Sequence, residues 1–350
     1  MNKPELIERR CLRFGGGSTG VGTTAALLHT DLGIGLPIDP DARPGCVLSE
    51  AYDTNNVSRQ LSVAINGGIY RPPPEDLFIS QNRVIGDLVK AFERDHRMAP
   101  YARRVKNIRG DTALGCQHQP AVAMLSILTD LPELTARIER KIGHIFDAGV
   151  AENELVKHNR RVAMNQPPLF VVLIHGDGAV GHATAVTMPF IFDAIMQQRQ
   201  QPQFEMVAVI GVGDLTDSNK ALNRTALFRT LAMGCDPRRP KTLETWQGTM
   251  RLSRAALYDR IYVMTPSNEL LGLNGHDTRV IAMAAVASEL ALGQVPMEPH
   301  LINKNYLGSD LDYGPRVWAR HGSARLVYSR ARTREGLISL GRSRIAESLC

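Results

Sequence analysis

FGGGSTGVG, residues 14–22, is the stretch on which the reading of the chain turns. Five of its nine residues are glycine. A short apolar entry at 11–14 precedes it, and TTAALLHTDL at 23–32 follows with helical composition. The order is therefore strand, glycine turn, helix. Such a turn lets backbone N–H groups at a helix start close around an anion. GGGSTG at 15–20 also spells GxGxxG, and Asp39 lies nineteen residues after Gly20. That is the dinucleotide arrangement, with the acid on a ribose hydroxyl. From these letters alone a nicotinamide oxidoreductase, a phosphate site for another nucleotide, and a plain packing turn all stay open.

The rest of the chain repeats the pattern. LFVVLI at 169–174 reads as a strand, runs into a second glycine turn, HGDGAVGHATA, and opens an apolar helix. EMVAVIG at 205–211 and RIYVM at 260–264 read as further strands. Helices are predicted at 83–95, 121–128, 132–148, 220–233, 277–292 and 333–348, with Ile34–Ile38 and 324–329 as additional strands. Residues 42–80, with Pro44, Gly67, Gly68 and the triple proline 72–74, read as an irregular surface excursion. Strands separated by helices imply parallel pairing, and continuous apolar strands imply a sheet covered on both faces. The expected fold is α/β, a doubly wound, mostly parallel sheet whose ligands bind at the carboxyl ends of the strands. The Ala-rich helix at 277–292 is apolar on most faces and should be buried.

Composition narrows the class. Of the 350 residues 43% are hydrophobic, so disorder is not expected. No apolar run approaches membrane-spanning length, and the opening MNKPELIERRCLRF lacks a signal-peptide core, so a cytoplasmic protein is expected. The five cysteines are scattered without a CxxC pair, and the ten histidines form no metal-binding pattern. No metal site is therefore expected. The net charge of +6 is dominated by arginine, notably Arg316, Arg320, Arg325, Arg330, Arg332, Arg334, Arg342 and Arg344. This C-terminal region reads either as a solvated helical face or as a surface for nucleic acid or an acidic partner.

Taken in order, the motifs resemble the tubulin/FtsZ superfamily, and more closely its bacterial tubulin-like branch, from about residue 11 to the C-terminus. FGGGSTG resembles the first phosphate loop, PIDPD the second, GCQHQPAV the third, and HGDGAVGHATA the signature loop. PSNELL at 266–271 resembles the guanine-site Pro-Asn-Asp-Xaa-Leu, and LIN at 301–303 the loop that reaches into the next subunit's nucleotide. The resemblance implies a GTP- or GDP-binding protein, with or without Mg²⁺, that assembles head to tail into cytoskeletal filaments. It implies a nucleotide-binding domain at 1–275, a central linking helix at 276–295 and a short C-terminal segment at 296–350. Gly15, Gly16, Gly17 and Ser18 would meet the phosphates, with Asp39, Gly115 and Gln117 from the second and third loops. Gly176, Asp177, Gly178, Ala179, Val180 and Gly181 would form the signature loop. Asn268 serves either the guanine edge or a helix N-cap.

Two departures bear on activity. Asp177 stands where the family has glycine, and a carboxylate beside a triphosphate is repulsive unless a cation intervenes or the side chain turns away. Asn305 and Gly308 stand where the family has acids that polarise water across the subunit contact, after Asn303 of LIN. An amide cannot act as a carboxylate base. Asp310 and Asp312 either substitute or sit in a solvated turn. Hydrolysis is therefore expected to be weak or absent. The remaining alternatives are an NAD(P)-binding Rossmann oxidoreductase and a tubulin-like scaffold that has lost its nucleotide.

Overall fold

A computed structural model of the chain describes residues 7–33, 46–65, 68–80, 85–105, 116, 118–150, 152, 161–213, 218–236, 238–264, 276–291 and 318–321. In chain order its first half runs β1 (Ile7–Glu8), β2 (Cys11–Gly16), α1 (Gly17–Gly33), β3 (Val47–Asp53), β4 (Val63–Ile65), β5 (Gly68–Tyr70), β6 (Leu77–Ile79), α2 (Ile85–Arg94), α3 (Ala99–Ala102), α4 (Pro120–Thr129) and α5 (Leu131–Ile145). The second half runs β7 (Arg161–Val162), β8 (Leu169–His175), α6 (Ala179–Gln198), β9 (Glu205–Gly211), α7 (Ser218–Gly234), β10 (Thr242–Thr245), β11 (Gly248–Arg251), β12 (Arg260–Met264), α8 (His276–Ala291) and β13 (Trp318–His321).

Seven strands form one sheet in the order β13-β12-β9-β8-β2-β3-β6, and every neighbouring pair is parallel. The chain starts at β2, steps outward to β3 and β6, then returns to the other side of β2 for β8 and beyond. That reversal places the switch point, and the crevice it opens, between β2 and β8. The expected doubly wound α/β architecture is thus the observed one. Gly16 pairs with Tyr52 on one side and Ile174 on the other, so the three central strands end level with each other.

β8 and β9 carry continuous apolar runs because each face of the sheet is covered. On one face Leu12, Phe14, Phe170, Val172, Ile174, Met206, Ala208 and Ile210 pack with α4, α5 and α6. On the other, Cys11, Leu169, Val171, Leu173, Val207 and Val209 pack with α1 and α8. Helix α8 buries Val280, Met283, Ala284, Ala287 and Leu290, as its all-round apolar composition predicts. Helix α6 is more extreme: Phe192 stacks on Phe170 at 4.6 Å, and the helix is buried along most of its length. By length and composition it could cross a bilayer, which corrects the expectation that no run is long enough. In this fold it is the core of one layer.

Two further expectations change. The segment at 42–80 is not an irregular excursion: its described residues include β3 beside β2 in the sheet, the β4–β5 hairpin and β6 at the sheet edge. Its strands were hidden because VLSEAYD carries polar residues that this fold buries, including Glu50 at 0% exposure. The hairpin β10–β11 was not anticipated either. The expected strands at 34–38 and 324–329 and the helix at 333–348 lie outside the described residues.

Candidate functional site

The first glycine turn is tighter than its sequence reading. β2 passes into α1 with no intervening loop, and Gly17, the first helical residue, takes a left-handed φ of +72°. A Cβ on Gly15 would lie 2.4 Å from the Gly20 carbonyl oxygen, and one on Gly16 would lie 2.3 Å from Thr184 Oγ1. Glycine is required at both places by close packing of backbone on backbone or side chain. The second turn behaves alike: a Cβ on Gly181 would lie 2.5 Å from the His175 carbonyl oxygen.

These contacts set two helix starts side by side at the carboxyl ends of β2 and β8. A Cβ on Gly17 would lie 3.3 Å from Val180 Cβ and 3.6 Å from the Gly181 nitrogen. The first N–H groups of a helix have no intrahelical acceptor. Among the described residues no acceptor meets the N–H of Ser18 or Thr19 on α1, or of Val180 or Gly181 on α6. The positive ends of both helix dipoles therefore point at one small region, which favours an anion there. Ser18 is exposed at this mouth. Deeper between the turns, the Thr184 hydroxyl is fully buried and has no hydrogen-bond partner among the described residues. His182, on the first turns of α6, has its pKa pushed down to about 4 by burial. Its imidazole is therefore neutral beside the cradle at physiological pH.

The Asp177 carboxylate does not face this region. Arg224 of α7 donates to it through Nε at 2.6 Å and Nη2 at 2.8 Å, and the Gly213 N–H donates at 3.1 Å. Asp177 is only 2% exposed. Next to it, Asn223 Nδ2 donates to the His118 carbonyl at 2.9 Å and the Asp177 carbonyl at 3.3 Å. Helix α7 thus joins the second glycine turn to the third-loop segment. On the opposite side of the sheet Arg279 of α8 reaches His175 Nε2, while His175 Nδ1 lies 3.2 Å from the Asp177 N–H. A neutral imidazole has one acceptor nitrogen, so it satisfies one of these donors at a time.

The strand beside β2 ends at Asp53. Asp39, assigned there from sequence, lies outside the described residues. Asp53 is buried and turned into its own loop. It accepts from Thr54 N–H at 2.7 Å and Ser58 Oγ at 2.5 Å. Both of its carboxylate oxygens are thus engaged within that loop. Thr54 Oγ1 lies 3.2 Å from Cys116 Sγ, which brings the third-loop segment to the same end of the sheet. Burial pushes the Cys116 thiol up to about 12, so it is an unreactive packing thiol.

Of the sequence candidates, Gly15, Gly16, Gly17, Ser18, Gly176, Asp177, Gly178, Ala179, Val180 and Gly181 therefore come together. Gly115, Gln117, Asn268, Asn303, Asn305, Asp310 and Asp312 lie outside the described residues. No group of three or more metal-binding side chains occurs among the described residues. Sequence reasoning missed Asn223, Arg224, Arg279 and Asp53. The signal for Arg224 was Asp177 itself, since a carboxylate buried in a glycine turn requires a cation.

No protein-family model and no curated protein matches the chain. Solved structures do. CetZ2 from Haloferax volcanii, a GTPγS-bound protofilament, is 13% identical with a TM-score of 0.47, over 83% of this chain and 62% of that one. CetZ from Methanosaeta thermophila is 9% identical with a TM-score of 0.45, over 85% and 56%. TubZ from Bacillus thuringiensis serovar israelensis, as GDP-form protofilaments, is 13% identical with a TM-score of 0.40, over 87% and 58%. The matches thus span from 56% to 62% of the length of these three neighbours. CetZ and TubZ are members of the tubulin/FtsZ superfamily.

Proposed function

We propose that the chain binds the phosphates of a guanine nucleotide between its two glycine turns, self-associates head to tail into filaments, and hydrolyses GTP slowly or not at all. One observation carries the phosphate reading: the N-termini of α1 and α6 converge with unmet N–H groups at the switch point of the sheet. The residues present fit a phosphate chain. Gly15, Gly16 and Gly17 leave room for close backbone approach, and Asp177 is turned to Arg224. Guanine as the base and head-to-tail assembly come from the sequence resemblance, through Asn268 and LIN. Slow hydrolysis rests on Asn305, which cannot serve as a carboxylate base. Asp177 no longer argues against binding, because its charge is compensated within the fold.

The residues would act as follows. The N–H groups of Ser18, Thr19, Val180 and Gly181 would donate to phosphate oxygens. The two helix dipoles would offset their charge without a side-chain cation. The nucleotide would supply a charged contact surface for a second copy of the chain. A thermal shift with GTP, GDP and NADH, combined with pelleting at several protein concentrations, tests this. Stabilisation by GTP and GDP but not NADH, with nucleotide-dependent pelleting, is expected. Stabilisation by NADH alone would replace the reading with an oxidoreductase. Filaments indifferent to every nucleotide would replace it with a scaffold.

A further inference from the structure

The second glycine turn contains an acid, and the fold answers it with a dedicated arginine. Both carboxylate oxygens of Asp177 are occupied, Oδ1 by Arg224 Nε and Oδ2 by Arg224 Nη2 and the Gly213 N–H. The pair is side-on and bidentate, the geometry in which arginine outperforms lysine. The two side chains are 2% and 11% exposed. Arg224 Nη2 also donates to the Gly213 carbonyl at 2.7 Å, at the end of the neighbouring strand β9. The turn, the strand end and α7 are thus tied at one point, and α6 begins two residues after Asp177.

We propose that Asp177 and Arg224 form a positioning pair for the anion cradle. The guanidinium cancels the carboxylate beside the two helix N-termini and holds the turn against α7. The cradle then takes a phosphate chain with no cation bridging it to Asp177. This rests on the reading of the cradle as a nucleotide-phosphate site. Removing Arg224 alone leaves a buried carboxylate near the phosphates. Removing both charges leaves none.

The test is equilibrium binding of GDP to the purified full chain, in EDTA and in millimolar Mg²⁺, for wild type, R224M, D177N and D177N/R224M. The wild type binds in EDTA. R224M loses about tenfold or more in EDTA and regains most of it in Mg²⁺, which neutralises phosphate charge beside the uncompensated carboxylate. D177N/R224M binds within about threefold of wild type in EDTA. The regain in Mg²⁺ and the rescue by the second substitution are readouts that a purely structural role would not move. R224M binding as tightly as wild type, or D177N/R224M binding as weakly as R224M, overturns the proposal while leaving the nucleotide reading intact. Should R224M fail to fold, D177N/R224M decides: binding within about threefold of wild type supports the pair, and a tenfold loss overturns it. A wild-type chain that binds neither GDP nor GTP overturns the nucleotide reading, and the proposal with it.

Discussion

The Tyr258 hydroxyl donates to the Ala185 carbonyl at 2.7 Å, the acceptor that Pro189 leaves without an N–H four residues further along α6. Proline inside a helix removes one i→i−4 hydrogen bond. Here a fully buried tyrosine from the segment before β12 replaces it. A helix buried along most of its length therefore keeps its backbone satisfied through a side chain more than seventy residues away.

Tyr258→Phe should destabilise the protein by about 1–3 kcal/mol, because a buried carbonyl loses its donor while the packing is nearly unchanged. In a Pro189→Ala background the helix supplies its own N–H, so the same change should cost less than half as much. Urea unfolding of the four variants measures both numbers. Equal costs in the two backgrounds would show that the hydroxyl does not serve the proline gap.

Gly17→Ala should cost about 1–3 kcal/mol from its left-handed φ of +72° alone. The new Cβ would also press on Val180 at 3.3 Å. Adding Val180→Ala relieves the contact and leaves the backbone strain. Thermal unfolding should therefore show partial rescue at most, and full rescue by Val180→Ala would mean that sterics, not φ, require the glycine.

His182 sets part of the acid limit of stability. Burial holds its folded pKa at about 4, below the ordinary 6.5, so the unfolded chain binds its proton first. Its contribution is intact above pH 6.5 and is lost as pH falls toward 4. By pH 5 the loss should reach about 2 kcal/mol. His182→Gln should flatten this part of the stability profile between pH 7 and 5. An unchanged slope in the variant would place the acid sensitivity elsewhere.

Glu50, fully buried on β3, faces Arg137 at 2.7 Å and Lys141 at 3.2 Å, one turn apart on α5. Burial pushes its carboxyl up, against the pull of these two cations. Arg137→Met leaves the carboxylate half-paired and should cost about 3 kcal/mol. Glu50→Gln in that background should recover most of it. A double-mutant cycle by chemical denaturation gives the coupling, and additive costs would mean that the pair does not act as a unit.

Much of the fold was legible because it follows from periodicity. LFVVLI, EMVAVIG and RIYVM read as strands, their alternation with helices implied a parallel sheet covered on both faces, and the glycine turns marked where helices begin. β3 was illegible because VLSEAYD has no apolar run; its buried Glu50 is tolerated only through cations that α5 brings from more than eighty residues away. The site split in the same way. Gly15 to Gly17 and Gly176 to Gly181 could be named from spacing, whereas Asp53 came into view only once the strand beside β2 was known.

By itself, the sequence determined the class of the sheet, the places where helix N-termini follow strands, and the presence of an unusual acid in the second turn. Local pattern suffices for these, because side-chain periodicity and glycine's conformational freedom act over a few residues. Only the tertiary structure decided that Asp177 belongs to Arg224, that Gly16 lies under Thr184, and that the two helix starts meet. Charge compensation and close approach depend on distances between segments far apart in the chain, and no local pattern encodes them.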